Sequence, residues 1–225
     1  TAFLKQSENS DKDYSVRYFT PTVEIDFCGH ATLASAKLVL HYLDKPFVNF
    51  TTFQNLKINA TSQGEKIKMK FPLYDTIDYV ANTELYEAFG IKNPIATKFV
   101  KELDMLIIEV SDKATLIEIN PNFTRAIKSS DSLKEVVVTA KSQDTEYDFY
   151  SRCFCPWIGI DEDPVTGASH SVLAKYWSAI LGKTEMLAYQ ASKRGGFMQL
   201  KIISDTELEV ISNAKIIFEG KTNIT

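Results

Sequence analysis

The sequence lacks the features that mark membrane and nucleic-acid proteins. No apolar run approaches the roughly 20 residues that a membrane-spanning helix needs, and the first residues lack the charged-then-apolar layout of a signal peptide. Basic residues are not in excess: 25 Lys and Arg stand against 29 Asp and Glu, for a net charge of −4. Binding to nucleic acid needs a clustered basic surface. We therefore expect no membrane or nucleic-acid partner.

Cysteine is scarce, with three residues in the chain. Cys153 and Cys155 are separated by one residue, which is closer than the usual two-residue metal-binding knuckle. Together with Cys28 they form an odd set, which is typical of reduced thiols in a cytoplasmic protein. We expect neither a metal nor a cofactor.

The chain contains many short strand-like segments, interrupted by two unusual helices. Residues 31–43 and 171–181 are apolar on nearly all sides of the predicted helix. A helix of this kind must be buried on most sides. Because strands precede and follow each helix, the pattern favours an α+β fold in which a curved sheet wraps around a helix, and does so twice.

The two apolar helices begin with similar sequences. Residues 26–32 read Asp-Phe-Cys-Gly-His-Ala-Thr and residues 163–169 read Asp-Pro-Val-Thr-Gly-Ala-Ser. A helix N-terminus presents unpaired N–H groups and a partial positive charge, and glycine lets a ligand approach the backbone. Two such termini pointing into one cleft would suit a small carboxylate and a developing enolate.

Asp163 and His30 are the candidate catalytic side chains. Two acidic neighbours disfavour a further negative charge on Asp163 and would raise its pKa. The alternative is that Asp163 is a helix N-cap, with Pro164 in the first helical position. His30 has a charge that changes near neutral pH, or it is a capping or packed residue.

Other groupings of residues leave further alternatives open. Cys28 and His30 could form a nucleophile with its base, or together with His170 and Asp163 they could bind a metal, although neither group has metal-ligand spacing. Arg194 and the glycine after it could grip a carboxylate, or they form a turn between strands.

Three motifs in order resemble the signatures of the PhzF-like family of phenazine-biosynthesis isomerases. The first comprises residues 17–21, Arg-Tyr-Phe-Thr-Pro, with Glu24 and residues 27–34. The second is Asp-Pro-Val-Thr-Gly at residues 163–167, and the third is Gln190 with Arg-Gly-Gly at residues 194–196. The resemblance covers essentially the whole chain.

The resemblance implies a diaminopimelate-epimerase-like fold of two pseudo-symmetric domains, each a curved, mostly antiparallel sheet around a central apolar helix. The first domain would comprise residues 1–75 plus about 213–225, and the second residues 76–212. The active site would lie between them. A homodimer and proton transfer on a small carboxylate substrate without a cofactor are also implied.

Carried over by motif, the resemblance assigns Asp163 and His30 to catalysis. It assigns substrate binding to the helix starts and the third motif, namely to Gly29, Gly167, Ala168, Ser169, Arg194 and Gly195. A serine often follows the glycine of the second motif in this family, whereas here Ala168 comes first and Ser169 second. The family's principal base is a glutamate, which we expect immediately before Thr1, outside this sequence.

Two other functions are compatible with the same motifs. One is a ligand- or protein-binding member of the family without catalysis, since a fold does not fix a function. The other is a racemase or epimerase that uses Cys28 as a base, as related enzymes use a cysteine near this helix start.

Overall fold

The computed structural model describes residues 1–20 and 23–221. Pro21 of the first motif and residues 222–225 of the predicted first domain therefore lie outside the described residues. The strands are β1 (Ala2–Ser7), β2 (Ser10–Phe19), β3 (Glu24–Ile25), β4 (Phe47–Thr52), β5 (Lys57–Gln63), β6 (Lys66–Pro72), β7 (Ile77–Asp78), β8 (Ala96–Val100), β9 (Met105–Val110), β10 (Glu135–Lys141), β11 (Phe149–Cys155), β12 (Ile160–Asp163), β13 (Glu185–Gln190), β14 (Gly196–Ser204) and β15 (Glu207–Ser212). The helices are α1 (Gly29–Lys37), α2 (Thr83–Phe89), α3 (Lys113–Glu118), α4 (Phe123–Ser129) and α5 (Gly167–Leu181).

The strands form one mixed sheet that curls around two helices. Its order is β1-β2-β4-β5-β6-β15-β14-β13-β11-β10-β9-β8-β7, with β3 paired to β2 and β12 paired to β11. The two halves join where β6 pairs with β15, an antiparallel pair in which Met69 lies opposite Val210. The strands β6 and β15 end at Pro72 and Ser212, close to the predicted domain boundaries after residues 75 and 212. The predicted division into two domains stays a prediction.

Helix α5 has the buried environment that its apolar sequence predicts. Val172, Leu173, Ala174 and Trp177 are all fully buried, and the Trp177 indole N–H donates to the Thr139 hydroxyl at 2.9 Å. Trp177 is the largest fully buried side chain, and its indole N–H therefore has the hydrogen-bond partner that a buried polar group requires.

Helix α1 is less enclosed than its sequence predicts. It ends at Lys37 and continues as one π-helical turn, Leu38–Tyr42. Ala36 and Val39 are buried, whereas Leu38 and Leu43 are about half exposed. The expectation of burial on most sides thus holds for α5 as far as Trp177, with Ile180 of its last turn about half exposed, and only in part for the first helix.

Short helices cover the outer face of the second half. The side chains of Leu85, Phe89, Leu116 and Ala126 pack with Phe154 of β11 in a core separate from the one around α5. Helix α4 was not predicted, yet its N-cap is readable: the Asn122 side chain accepts from the Arg125 N–H at 3.0 Å, a common cap arrangement.

The strand-like segment near the end of the chain does not form a strand. Residues 214–218 alternate in a strand-like way, but the structure gives residues 213–221 no regular secondary structure. Ile217 and Phe218 are almost fully exposed, and a strand needs a neighbour for its backbone hydrogen bonds. Within the described ranges, no helix is both long and apolar enough to cross a bilayer.

Candidate active site at the facing helix starts

The first residues of α1 and α5 are in contact. A Cβ atom added to Gly29 would lie 2.8 Å from the Gly167 Cα, and one added to Gly167 would lie 3.1 Å from the Gly29 Cα. The first distance is shorter than real Cβ contacts, and the second is tight enough that the neighbouring backbone would have to shift. Only glycine on both sides lets the two helix starts meet, and the partial positive charges of both helices are concentrated at this point.

Neither helix start is capped by a side chain. The N-cap residues are Cys28 for α1 and Thr166 for α5, and neither side chain accepts a hydrogen bond from the first turn. The first turns also contain no acidic residue. The backbone N–H groups there remain available for an anionic ligand, as in many anion sites at helix starts.

Asp163 lies beside these helix starts as the last residue of β12. The interpretation of Asp163 as N-cap is wrong, because α5 begins only at Gly167. The Thr166 hydroxyl instead donates to the Asp163 carboxylate. Asp163 is 8% exposed, so the carboxylate is held at the edge of the core and not in bulk solvent.

Burial raises the pKa of the Asp163 carboxyl, while the nearby His30 and the Thr166 hydroxyl lower it in part. The direction agrees with the sequence prediction, but the cause differs. Its neighbour Glu162 is held by Arg152 in a two-pronged ion pair of 2.7 and 3.0 Å. A neutralised Glu162 cannot be the main source of the shift.

Gln190 fixes the segment that carries Asp163. Its amide donates to the Asp163 carbonyl at 2.7 Å, and its oxygen accepts from the Thr166 N–H at 2.7 Å. Gln190 is fully buried. These bonds tie both ends of the 163–166 turn to β13, so the position of the carboxylate is set by the sheet.

His30 reaches across from α1 to the same turn. Its Nδ1 lies 3.1 Å from the Val165 carbonyl oxygen and 3.8 Å from Asp163 Oδ1. Its Nε2 lies 3.3 Å from the Cys28 sulfur. A carbonyl oxygen can only accept, so Nδ1 carries a proton, and a doubly protonated ring would donate on both sides.

These contacts raise the pKa of His30 to about 9. The hydrogen bond with the Cys28 sulfur contributes most, the Asp163 carboxylate and the Val165 carbonyl add to it, and burial opposes them. Its side chain remains 46% exposed. His170, by contrast, is a fully buried residue of α5, and burial lowers its pKa to about 4.

We expect the pKa values of His30 and His170 to lie on opposite sides of the ordinary histidine value. In NMR pH titrations of the imidazole signals, His30 should titrate well above the ordinary value of 6.5 and His170 well below it. The proton on His30 contributes stability that is fully present below pH 6.5 and is lost as pH rises through about 9.

Cys28→Ser should lower the pKa of His30 and leave the pKa of His170 unchanged. An unchanged His30 pKa in that variant would contradict the assigned cause.

The other predicted binding residues occupy different environments. Ala168 is partly buried and lines a cavity of about 400 Å³ next to Phe27. Ser169 is fully buried and its hydroxyl donates to the Thr166 carbonyl at 3.0 Å. The structure therefore does not bring the Ser169 hydroxyl together with His30 and Asp163.

Arg194 and Gly195 lie in the turn between β13 and β14. Gly195 has a φ of +68°, and an added Cβ would collide with the Tyr189 hydroxyl. The turn is linked to the site because Ser192 donates to the Pro164 carbonyl at 2.7 Å. Arg194 is exposed, and it makes no hydrogen bond or ion pair with another residue of the described part.

Sequence reasoning did not assign a role to Thr166, Val165 or Ser192. Thr166 directly precedes Gly167 in the second motif, and Ser192 lies between Gln190 and Arg194 of the third, so their position within the motifs is the available signal. Val165 contributes only its carbonyl, which no side-chain pattern can reveal.

The curved sheet around two helices that meet at their glycine starts defines a protein of the diaminopimelate-epimerase-like fold. A crystal structure of a probable proline racemase from Agrobacterium radiobacter superposes with a TM-score of 0.60 at 13% identity, covering 97% of this chain and 76% of the other. At that identity the likeness concerns the fold alone. The predicted fold class is confirmed.

The family follows from the closer comparisons. The family model described as phenazine biosynthesis-like protein matches residues 1–220, and the chain belongs to this family. It is 41% identical over 209 residues to an uncharacterized isomerase of Halalkalibacterium halodurans, covering 91% of this chain and 76% of that protein. The crystal structure of a PhzF-family protein from Enterococcus faecalis matches with a TM-score of 0.87 and 31% identity over 99% of this chain and 82% of the other.

Proposed function

We propose that this protein is a cofactor-independent isomerase that moves a proton on a small carboxylate-bearing substrate. The observation that carries the proposal is the contact between Gly29 and Gly167, which directs two uncapped helix starts to one point. Relatives named as isomerases support the same reaction class.

Each group near the facing starts of α1 and α5 has a role suited to proton transfer. The N–H groups of the two helix starts hold the substrate carboxylate and the charge that develops when a carbon next to it loses a proton. The His30 imidazolium adds a positive charge beside them. Asp163 is a carboxyl whose pKa is raised by burial, and such a group can give or accept a proton closer to neutral pH.

Family resemblance supplies the remaining part of the proposal. It assigns removal of the proton to a glutamate immediately before the segment that opens with Thr1. Asp163 and His30 then hold the polar groups of the substrate and steady the intermediate, and Arg194 is a free guanidinium for a second carboxylate or carbonyl.

Deuterium exchange tests the proposal directly. Full-length protein is incubated in heavy water with a panel of amino-acid-like and cyclic carboxylates, and substrate mass is followed by mass spectrometry. We expect one carbon-bound deuterium to enter at least one compound, and Asp163→Asn to slow the uptake by about 100- to 10,000-fold. Ligand binding without exchange for every compound would contradict the proposal and favour a non-catalytic binding protein.

A second candidate function rests on the 3.3 Å contact between the Cys28 sulfur and His30 Nε2. A thiol next to a histidine can serve as a base, so the site could support a cysteine-assisted racemase or epimerase. Under this hypothesis Cys28→Ser removes deuterium exchange altogether. Under the leading proposal the serine variant keeps most of it.

A further inference from the structure

A cluster of three ionisable side chains lies in the sheet next to the proposed site. Cys153 and Cys155 of β11 have their sulfur atoms 3.6 Å apart, and Cys153 Sγ lies 2.7 Å from Glu135 Oε1 on β10. The ligand-type atoms of all three residues lie within 4.8 Å of one another. The proposed isomerisation uses none of them.

Strand geometry explains why the two cysteines converge. Residues two apart on a strand point to the same face, so a Cys-x-Cys spacing that is too short for a metal knuckle in a loop suits a strand. In the antiparallel pairing of β10 with β11, Val136 lies opposite Phe154, and Glu135 therefore falls opposite Cys155. All three side chains share one face, held by a rigid pair of strands.

The spacing of the two sulfur atoms matches a shared tetrahedral ion. With metal–sulfur bonds of about 2.3 Å and a tetrahedral angle, two thiolates on one Zn²⁺ lie about 3.8 Å apart. The observed 3.6 Å is close to this value. The carboxylate oxygen needs to move only slightly away from Cys153 to reach the same centre.

The electrostatic environment of the cluster favours a cation. The groups that act most strongly on Glu135, Cys153 and Cys155 are these residues themselves and Asp163, all of them acidic. Burial and the neighbouring groups raise the pKa of the Cys153 thiol. For Cys155 the hydrogen bond with Cys153 lowers the pKa, but burial and the nearby acidic groups raise it by more. Burial raises the pKa of Glu135 to about 7. Two thiols and a carboxyl brought this close together offer a cation both sulfur and oxygen ligands.

Access to the cluster is possible from one side. Cys153 and Cys155 are buried, but Glu135 is only partly buried at the first position of β10. Its carboxylate can bind an ion from solvent first, and the buried thiols can then coordinate the same ion. Apolar side chains enclose the remainder, among them Val137 and Ile160.

We propose that Glu135, Cys153 and Cys155 form a binding site for a thiophilic divalent cation of the Zn²⁺ class. Two thiolates and one carboxylate coordinate the ion, and the protons that the two thiols and the carboxyl carry are released to solvent when it binds. Soft thiolate donors select Zn²⁺ and its heavier relative Cd²⁺ over Mg²⁺ and Ca²⁺. No oxidation or reduction is involved.

Cd²⁺ titration of the reduced, metal-free protein tests this site. We expect a thiolate-to-cadmium charge-transfer band in the ultraviolet that saturates at one equivalent, is displaced by Zn²⁺ and is unaffected by Mg²⁺. Cys153→Ser and Cys155→Ser should each abolish most of the band. Glu135→Gln, a change at the partly exposed position, should weaken Cd²⁺ binding by about tenfold or more.

Cys28→Ser is the matched control, because Cys28 is the chain's remaining thiol and lies in the proposed active site. This variant should keep the band and its affinity. X-ray absorption of the Zn²⁺-loaded native protein provides a readout that needs no variant, and we expect two sulfur neighbours. A missing band, a band lost only in Cys28→Ser, or a zinc shell with fewer than two sulfurs would overturn the proposal.

Discussion

Asp163→Asn is expected to lower kcat/KM for the exchanging substrate by about 100- to 10,000-fold, the usual contribution of a positioned proton-transfer group. Asparagine has the shape of aspartate and can still accept from the Thr166 hydroxyl, so the turn should keep its conformation. What the substitution removes is the ionisable group 3.8 Å from His30 Nδ1. Steady-state kinetics and deuterium exchange both measure this loss.

Asp161→Asn is the matched control for this prediction. Asp161 lies two residues earlier on β12 and is exposed, and it makes no hydrogen bond or ion pair in the described part of the chain. Its replacement should leave turnover unchanged. In Asp163→Asn the pKa of His30 should also fall in NMR titrations, because the carboxylate helps to raise it. Equal activity losses in both variants would mean that Asp163 has no special part in the reaction.

The candidate site could be predicted in part because its chemistry lies in short segments. Gly29, His30, Asp163 and Gly167 stand within two helix-start sequences that the residue pattern alone singles out. Their contact could not be predicted from that pattern, because it depends on how β6 pairs with β15 and brings the two helices together. The local pattern is equally compatible with a structural role for these residues. The resemblance to the family is what favours a role in the active site.

Other errors have physical causes that a single sequence does not reveal. The N-cap interpretation of Asp163 failed because Gln190, on a different strand, holds residues 163–166 in a turn, so that Thr166 and not Asp163 is the N-cap. Residues 214–218 have strand periodicity, but pairing depends on a neighbour that periodicity does not specify.

Gly29→Ala is expected to destabilise the protein by about 1–3 kcal/mol, in the range of overpacked sites. Alanine in place of glycine normally stabilises a helix by about 0.5–1 kcal/mol, so the expected sign is reversed. The reason is the backbone of α5: the new methyl would lie 2.8 Å from the Gly167 Cα and 3.0 Å from its nitrogen. Backbone atoms in a buried contact cannot move aside as a flexible side chain can.

The same substitution should also impair catalysis, because relief of the clash separates the two helix starts that would hold the substrate. A displacement of about 1 Å in a site can reduce the rate about 100-fold. Gly167→Ala, with a closest contact of 3.1 Å, should have the same effects in a milder form. Ala34→Gly on the exposed side of α1 is the control: it should lower stability by about 1 kcal/mol through helix propensity alone and leave turnover intact. Denaturant unfolding together with deuterium-exchange rates measures both effects, and a Gly29→Ala variant that is more stable and fully active would show that the helix starts need not touch.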